Sequence, residues 1–271
     1  MISNNYLKTK EHYTALLSDH YTWTFGGSKD KQMSNLRLLS EFLAATDEPK
    51  IAVDLGCGSG FQSIPLLQLG YSTYGIDACK ELLDELLDGV SGDQRGRMHI
   101  AVGDMLGASK LLQVCSGFQG NADVVVCMGD TLTHLASLCE VKQLLVEIHS
   151  MLNVGGKTVL QFRDLREPLK DTDRFIPVRS DERTVFTCFL EWEGDRQGDV
   201  SADGSGCTIK VHDLVHVKKG IGAWELCKSW YSKLGLSCDF VVSSLIDIGF
   251  VVEHQSDDPM VLIVAKKVQK N

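Results

Sequence analysis

Between residues 50 and 163 short apolar runs alternate with amphipathic stretches, and this alternation narrows the possible folds more than any other feature. The runs at 50–55, 72–76, 98–102, 122–128 and 157–163 are strand-like, the one at 122–128 being the most apolar. The stretches at 61–69, 79–87, 106–114 and 138–152 carry helical periodicity. Strands separated by helices pair in parallel, and a parallel sheet is covered on both faces. The expectation is an α/β fold with a central, mostly parallel sheet.

The flanks differ. Residues 5–20 and 29–46 read as helices, the second with Leu36, Leu39, Phe42 and Leu43 on one face. Tyr21-Thr22-Trp23-Thr24-Phe25 lies between them and ends in the breaker Gly26-Gly27. Past residue 170 the rhythm breaks into strands with polar turns, at 184–192 and 208–217, around a Gly-, Asp- and Ser-rich loop at 195–206. This predicts an inserted antiparallel β subdomain over 171–232, carried by a single domain spanning 1–271 with an N-terminal helical lid region at 1–46. A helix at 240–248 and a closing hairpin at 249–254 and 260–266 follow. His212 and His216 share a strand face about 13 Å apart, too far for one metal ion.

The first strand runs into Val53-Asp54-Leu55-Gly56-Cys57-Gly58-Ser59-Gly60. Glycines at a strand-to-helix turn let the backbone bend sharply and approach a ligand at the carboxyl ends of the strands. Phe61 stands where a dinucleotide fingerprint would place its last glycine. Asp54 precedes the glycines, a position that favours a cationic ligand over a pyrophosphate. Asp77 ends the second strand, 17 residues past Gly60, where a carboxylate can accept from ribose hydroxyls. Asp104 ends the third, beside Met105. Each acid alone fits a turn or a helix cap, but three at successive strand ends point to one nucleoside-bearing cation.

With VDLGCGSG, GID and GDM in order, residues 51–163 resemble the class I S-adenosylmethionine-dependent methyltransferase family. The resemblance implies a Rossmann-like, mostly parallel seven-stranded sheet with an antiparallel C-terminal hairpin, and S-adenosyl-L-methionine as cofactor. It implies that Gly56, Cys57 and Gly58 meet the methionine part, with Asp54 beside them. It further implies Asp77 and Ala78 at the ribose, Asp104 and Met105 at adenine, and Met128 at the end of the fourth strand.

The fourth strand leads into Met128-Gly129-Asp130-Thr131-Leu132-Thr133-His134-Leu135. This segment resembles small-molecule N-methyltransferases of the glycine and sarcosine type, with Asp130 replacing a neutral amide. Asp130 and His134 are i and i+4 if a helix starts there, so both are candidate catalytic residues facing a pocket. Asp130 then holds an amine or caps the helix; His134 takes a proton or packs. The aromatic segment resembles these enzymes' lid, with Trp23 at the cofactor and Tyr21 and Phe25 at the substrate; a hydrophobic staple onto the sheet is the plainer role. Lys31, with Arg37 as rival, is placed to bind the methionine carboxylate. Arg163, ending the fifth strand, binds an acidic substrate group or pairs with Asp164, Glu167 or another neighbour. Trp230 and Tyr231 complete the pocket or pack in the core.

Composition limits the partners. Hydrophobic residues make up 44% of 271, and the net charge is −9, which removes the general attraction for nucleic acid. The fourth strand lacks the [DN]-P-P-[YF] tetrapeptide of amino-group DNA and protein methylases, and the Pro-Cys of C5-cytosine methylases. Nine cysteines form no CxxC pair, so they read as reduced, small hydrophobes. The polar Met1–Lys10 stretch is unlike a signal peptide, and no apolar run reaches the ~18 residues of a membrane span. The expectation is a cytoplasmic enzyme moving a methyl group to a small molecule, most simply an amine nitrogen, with no nucleic-acid or membrane partner and no metal. O-methyl transfer, a nicotinamide oxidoreductase and a non-catalytic binding module are the alternatives.

Overall fold

The computed structural model describes residues 4–193, 207–220 and 222–269. Five strands build the parallel core: β1 (Ile51–Leu55), β2 (Ser72–Asp77), β3 (Met98–Val102), β4 (Ala122–Cys127) and β5 (Leu152–Phe162). Two more, β10 (Phe250–Ser256) and β11 (Val261–Lys267), form a hairpin whose second strand pairs antiparallel with β5. The order is β10-β11-β5-β4-β1-β2-β3. Chain direction across the sheet reverses between β1 and β4, the position at which open α/β sheets leave a crevice beyond their carboxyl ends.

Alternate residues of the central strands enter different cores, as a two-residue strand period demands. Val53, Leu55, Val125 and Cys127 pack with α6 (Ala108–Ser116), α7 (Leu138–Met151) and α8 (Cys238–Ile248). Ala52, Val124 and Val126 pack the other way, against Leu39 of α3 (Ser28–Phe42) and Leu66 of α4 (Ser63–Gln68). A smaller cluster joins Ile64 and Leu67 to Leu86 of α5 (Lys80–Gly89). The helix ends are chemically marked. Ser137 accepts from the Glu140 amide at the start of α7, and Ser237 from the Phe240 amide at the start of α8. Gly249 closes α8 at a φ of 111°.

A separate antiparallel sheet holds β6 (Phe175–Ser180), β7 (Thr184–Glu193), β8 (Thr208–Lys219) and β9 (Ala223–Leu234), in that order. The expected strands at 184–192 and 208–217 are β7 and β8. The strands β6 and β9 were not individually foreseen, and β9 carries Trp230 and Tyr231 within it. The expected loop at 195–206 lies outside the described residues. Ahead of the main sheet, α1 (Asn4–His12) continues through one wide π turn (Tyr13–Leu17), and the aromatic segment forms the single turn α2 (Tyr21–Thr24). Both pack against Phe186 and Val215 of the antiparallel sheet, the first through Leu16 and Leu17 and the second through Tyr21 and Trp23.

No helix of the described residues is long and apolar enough to cross a membrane.

Candidate cofactor and acceptor site

At the carboxyl ends of β1–β4 the chain forms a cleft lined by the glycine loop, the ends of β2 and β3, the turn after β4 and α1. Its floor is the glycine loop. Gly56, Gly58 and Gly60 have φ values of 69°, 50° and 89°, a region open to glycine and strained for other residues. Space demands glycine as well: a Cβ on Gly56 would lie 2.2 Å from Thr131 Cγ2, and one on Gly60 2.2 Å from Leu86 Cδ1. Cys57 is buried below the loop and faces Gly75, where a Cβ would meet its Sγ at 2.8 Å. Burial pushes the Cys57 thiol up from its ordinary range. Cys57 is a packing residue, and its amide is already given to the Ile76 carbonyl at 3.0 Å.

Three carboxylates surround this floor, and none of them takes part in an ion pair among the described residues. Asp77 accepts from the Gly58 amide at 2.9 Å and the Cys79 amide at 2.8 Å, so it braces the loop while lining the cleft. Burial raises its pKa; the amides that it accepts from pull it back. Asp104 accepts from the Leu106 amide at 3.0 Å, and burial raises it too. Asp54 lies under the loop, 1% exposed. Its Oδ2 accepts from the Ser63 hydroxyl at 2.6 Å, while its buried Oδ1 has no partner. Burial pushes Asp54 up to about 7, against the Ser63 hydrogen bond and with a further push from Asp77. Buried acids without cations favour a cationic ligand.

The sequence-predicted residues Gly56, Gly58, Asp77, Ala78, Asp104, Met105, Tyr21 and His134 all line the cleft. Others sit elsewhere. Met128 is 2% exposed in the core beside Leu39, and only its carbonyl faces the loop, accepting from Thr131 Oγ1 at 2.8 Å. Trp23 turns to the antiparallel sheet, donating to Asp181 at 3.0 Å beneath the Arg179 guanidinium. Phe25 packs on Phe61 and Tyr21 at 5.0 and 5.3 Å, with the Lys31 ammonium 5.6 Å from its ring. Neither Phe25 nor Lys31 lines the cleft. Phe61 stacks on Tyr21, so it supports a cleft wall where a dinucleotide loop would need glycine.

The expectation that Asp130 and His134 share one pocket-facing side of a helix is corrected. Residues Thr131–His134 make a single 3-10 turn, and Asp130 precedes it at a φ of 77° with its side chain turned inward. Asp130 is 3% exposed. Its Oδ2 accepts from Lys233 Nζ and from the Arg163 guanidinium, both at 2.6 Å, and its Oδ1 accepts from the Arg163 amide at 2.7 Å. The adjacent cations hold its carboxyl well below the usual range, overcoming burial. Asp130 is therefore held in place by two cations and a backbone amide. Arg163 pairs with Asp130 rather than with Asp164, which is taken by Arg166 at 2.7 Å. Burial, aided by Lys233, lowers His134 to about 3, so it is a neutral imidazole at ordinary pH.

Sequence reading missed a whole wall of the cleft. Tyr6, Thr9 and Lys10 of α1, with Tyr13 just after it, line the cleft. The Tyr13 hydroxyl lies 3.4 Å from His134 Nε2, and Asn5 donates to the His134 carbonyl at 2.7 Å. The helical period of 5–20 was visible, but nothing local shows which face meets a ligand. Tyr231 is buried, its ring 5.3 Å from that of His134. Trp230 faces outward under Lys8 and Lys210. Among the described residues no group of three or more His, Cys, Asp and Glu could hold a metal ion.

Residues 52–156 match the methyltransferase domain family. A glycine/sarcosine N-methyltransferase from Aphanothece halophytica is 28% identical over 125 residues, 42% of this chain and 41% of that protein. The match thus spans about two fifths of that relative's length. The solved CcbJ methyltransferase of Streptomyces caelestis superposes with a TM-score of 0.71 at 18% identity, covering 96% of this chain and 99% of that one. A SAM-bound amino pentose methyltransferase, CalS10 of Micromonospora echinaspora, superposes with a TM-score of 0.61 at 15% identity, covering 89% and 91%. Along nearly its whole length the chain has the fold of these solved methyltransferases.

Proposed function

We propose that this chain is an S-adenosyl-L-methionine-dependent methyltransferase of a small-molecule acceptor, with an amine nitrogen as the methylated atom. The observation that carries the reading is the set Asp54, Asp77 and Asp104, three acids without ion-pair partners around a glycine loop too tight for a Cβ at Gly56. The residues fit the cofactor. Asp77 has lone pairs left for ribose hydroxyls after bracing Gly58. Asp104 and Met105 stand at the adenine end, and the unpartnered Asp54 oxygen lies under the loop that would meet the methionine ammonium.

When bound, the cofactor supplies an electrophilic methyl on a sulfonium, for in-line transfer to a nucleophile. The chain's residues then bind, orient and exclude water. Tyr21 and Tyr13 wall the cleft with aromatic faces suited to a sulfonium. His134 stays neutral and offers a hydrogen bond rather than proton removal. An acceptor that arrives as a free amine needs no base at attack, consistent with the ion-paired Asp130. Glycine, sarcosine and amino pentose are the acceptors named by the relatives, and they support nitrogen. In this reading residues 1–46 form a lid, 171–232 a substrate-side subdomain, and the enzyme works in the cytoplasm without nucleic acid.

The test is transfer of a labelled methyl group from S-adenosylmethionine across a panel of small amines and hydroxyl compounds, with product masses recorded. Labelled amines with unlabelled hydroxyl compounds support the reading. Label found only on hydroxyl compounds would replace nitrogen by oxygen, and no label on any acceptor would count against transfer to a small molecule.

A further inference from the structure

The cleft wall provided by α1 stands on a buried pair far from the glycine loop in sequence. His12 Nε2 lies 2.8 Å from Asp213 Oδ2, with side chains 0% and 2% exposed. Asp213 occupies a β8 position whose same-face neighbours Val211 and Val215 are aliphatic and buried. Its second oxygen accepts from the Cys188 thiol of β7 at 3.0 Å. A carboxylate set among aliphatic side chains is costly unless partnered, and an apolar residue would fill such a seat with less penalty. What the hydrogen-bonded pair adds is register. An apolar seat tolerates a helix that slides or rolls, whereas one nitrogen facing one carboxylate does not.

The helix that this pair fixes is short. Nine residues are marginal as an isolated helix, so α1 depends on its docking. Thr9 and Tyr13, adjacent to His12 in space or sequence, face the cleft, as do Tyr6 and Lys10 one turn away. Tyr231 carries the contact onward, its ring 4.5 Å from His12 and 5.3 Å from His134. We propose that His12 and Asp213 are positioning residues, a pair that locks α1 in one register on the antiparallel sheet and so sets the cofactor-facing wall of Tyr6, Thr9, Lys10 and Tyr13. The proposal rests on the reading that this cleft takes S-adenosylmethionine.

The test compares full-length wild type, His12→Asn, Asp213→Asn, the double variant and Leu190→Ala, a cut into the same sheet's core that removes neither member of the pair. Calorimetry with S-adenosylhomocysteine is predicted to show at least a tenfold loss of affinity in either single variant, and no further loss in the double variant. Leu190→Ala should lower the melting temperature at least as much, yet keep affinity within twofold. Variants of the pair that bind like wild type, or an equal loss in Leu190→Ala, would overturn the proposal. Hydrogen exchange on the ligand-free proteins is the second arm. Residues 4–17 should lose protection in His12→Asn while β7 and β8 keep theirs; unchanged protection there overturns the proposal. If wild type itself binds no S-adenosylhomocysteine, the cofactor reading fails while this second arm still decides the role of the pair. His12→Asn leaves the sheet residues intact, so the test stands even if Asp213→Asn does not fold.

Discussion

Lys233 Nζ and Asp130 Oδ2 meet at 2.6 Å, although 103 residues separate them and both side chains are under a tenth exposed. This contact ties the last strand of the antiparallel sheet to the turn after β4. It holds the Asp130 carboxylate against a buried ammonium. Asp130→Asn is expected to cost about 3 kcal/mol in urea unfolding, because it leaves Lys233 buried without its counter-charge. Asp130→Asn with Lys233→Met should recover most of that loss. The folded-state pKa of Asp130 is depressed, so its contribution is present above the unfolded value near 4 and is lost as pH falls further. An Asp130→Asn protein as stable as wild type at pH 7 would contradict the ion-pair role.

Asp54 has the opposite sign. Its folded-state pKa of about 7 lies above the unfolded value, so the folded chain holds a proton that the unfolded chain has lost between about pH 4 and 7. Stability falls as pH rises through that window and levels off above it, with a full effect of up to about 4 kcal/mol. Asp54→Asn should raise the ligand-free melting temperature at pH 8 and weaken S-adenosylhomocysteine binding about tenfold. A variant that melts lower at pH 8 and binds as well as wild type would remove Asp54 from the site.

His134 is lowered to about 3, below its unfolded value near 6.5. The unfolded chain therefore binds a proton first, and stability is lost as pH falls from 6.5 toward 3. His134→Asn should reduce that acid-side loss. Methyl-transfer rates should show no limb near pH 6.5 that His134→Asn abolishes; such a limb would make His134 the base after all.

Gly56 is held by both conformation and space. Gly56→Ala adds a side chain at a φ of 69° and a Cβ 2.2 Å from Thr131 Cγ2, for an expected cost of about 2–3 kcal/mol. Adding Thr131→Ser removes the closest clashing atom and should restore part of the loss, leaving the backbone strain and the Oγ contact at 2.8 Å. Equal stability in the single and double variants would show that the contact is relieved without cost.

The parallel strands were legible because short strand-like runs alternate with helical stretches and are bounded by turn residues, and Asp77 and Asp104 followed as the acids at their ends. Strand β9 was not, since Ala223–Leu234 mixes Glu, Lys and Ser with its aromatics, and its first half lies exposed at a sheet edge. The role of Asp130 was hidden for another reason. Local spacing suggested a helix shared with His134, while the partner that decides its chemistry, Lys233, lies on a strand with no motif. Tyr6, Thr9, Lys10 and Tyr13 were visible only as parts of an amphipathic helix, because which face meets the cleft is set by docking through His12 and Asp213. Trp23 was expected at the cofactor, with a staple onto the sheet as the alternative, and its indole found Asp181.

The central claim is that the cleft above Gly56 and Gly58 binds a cationic nucleoside cofactor. Titration calorimetry of the full chain with S-adenosylmethionine, S-adenosylhomocysteine and NADH tests it most directly. The account predicts saturable binding of the first two at one site per chain, weakened in Asp77→Asn, and no heat from NADH. A folded protein that binds neither S-adenosyl compound, or binds NADH instead, would contradict it.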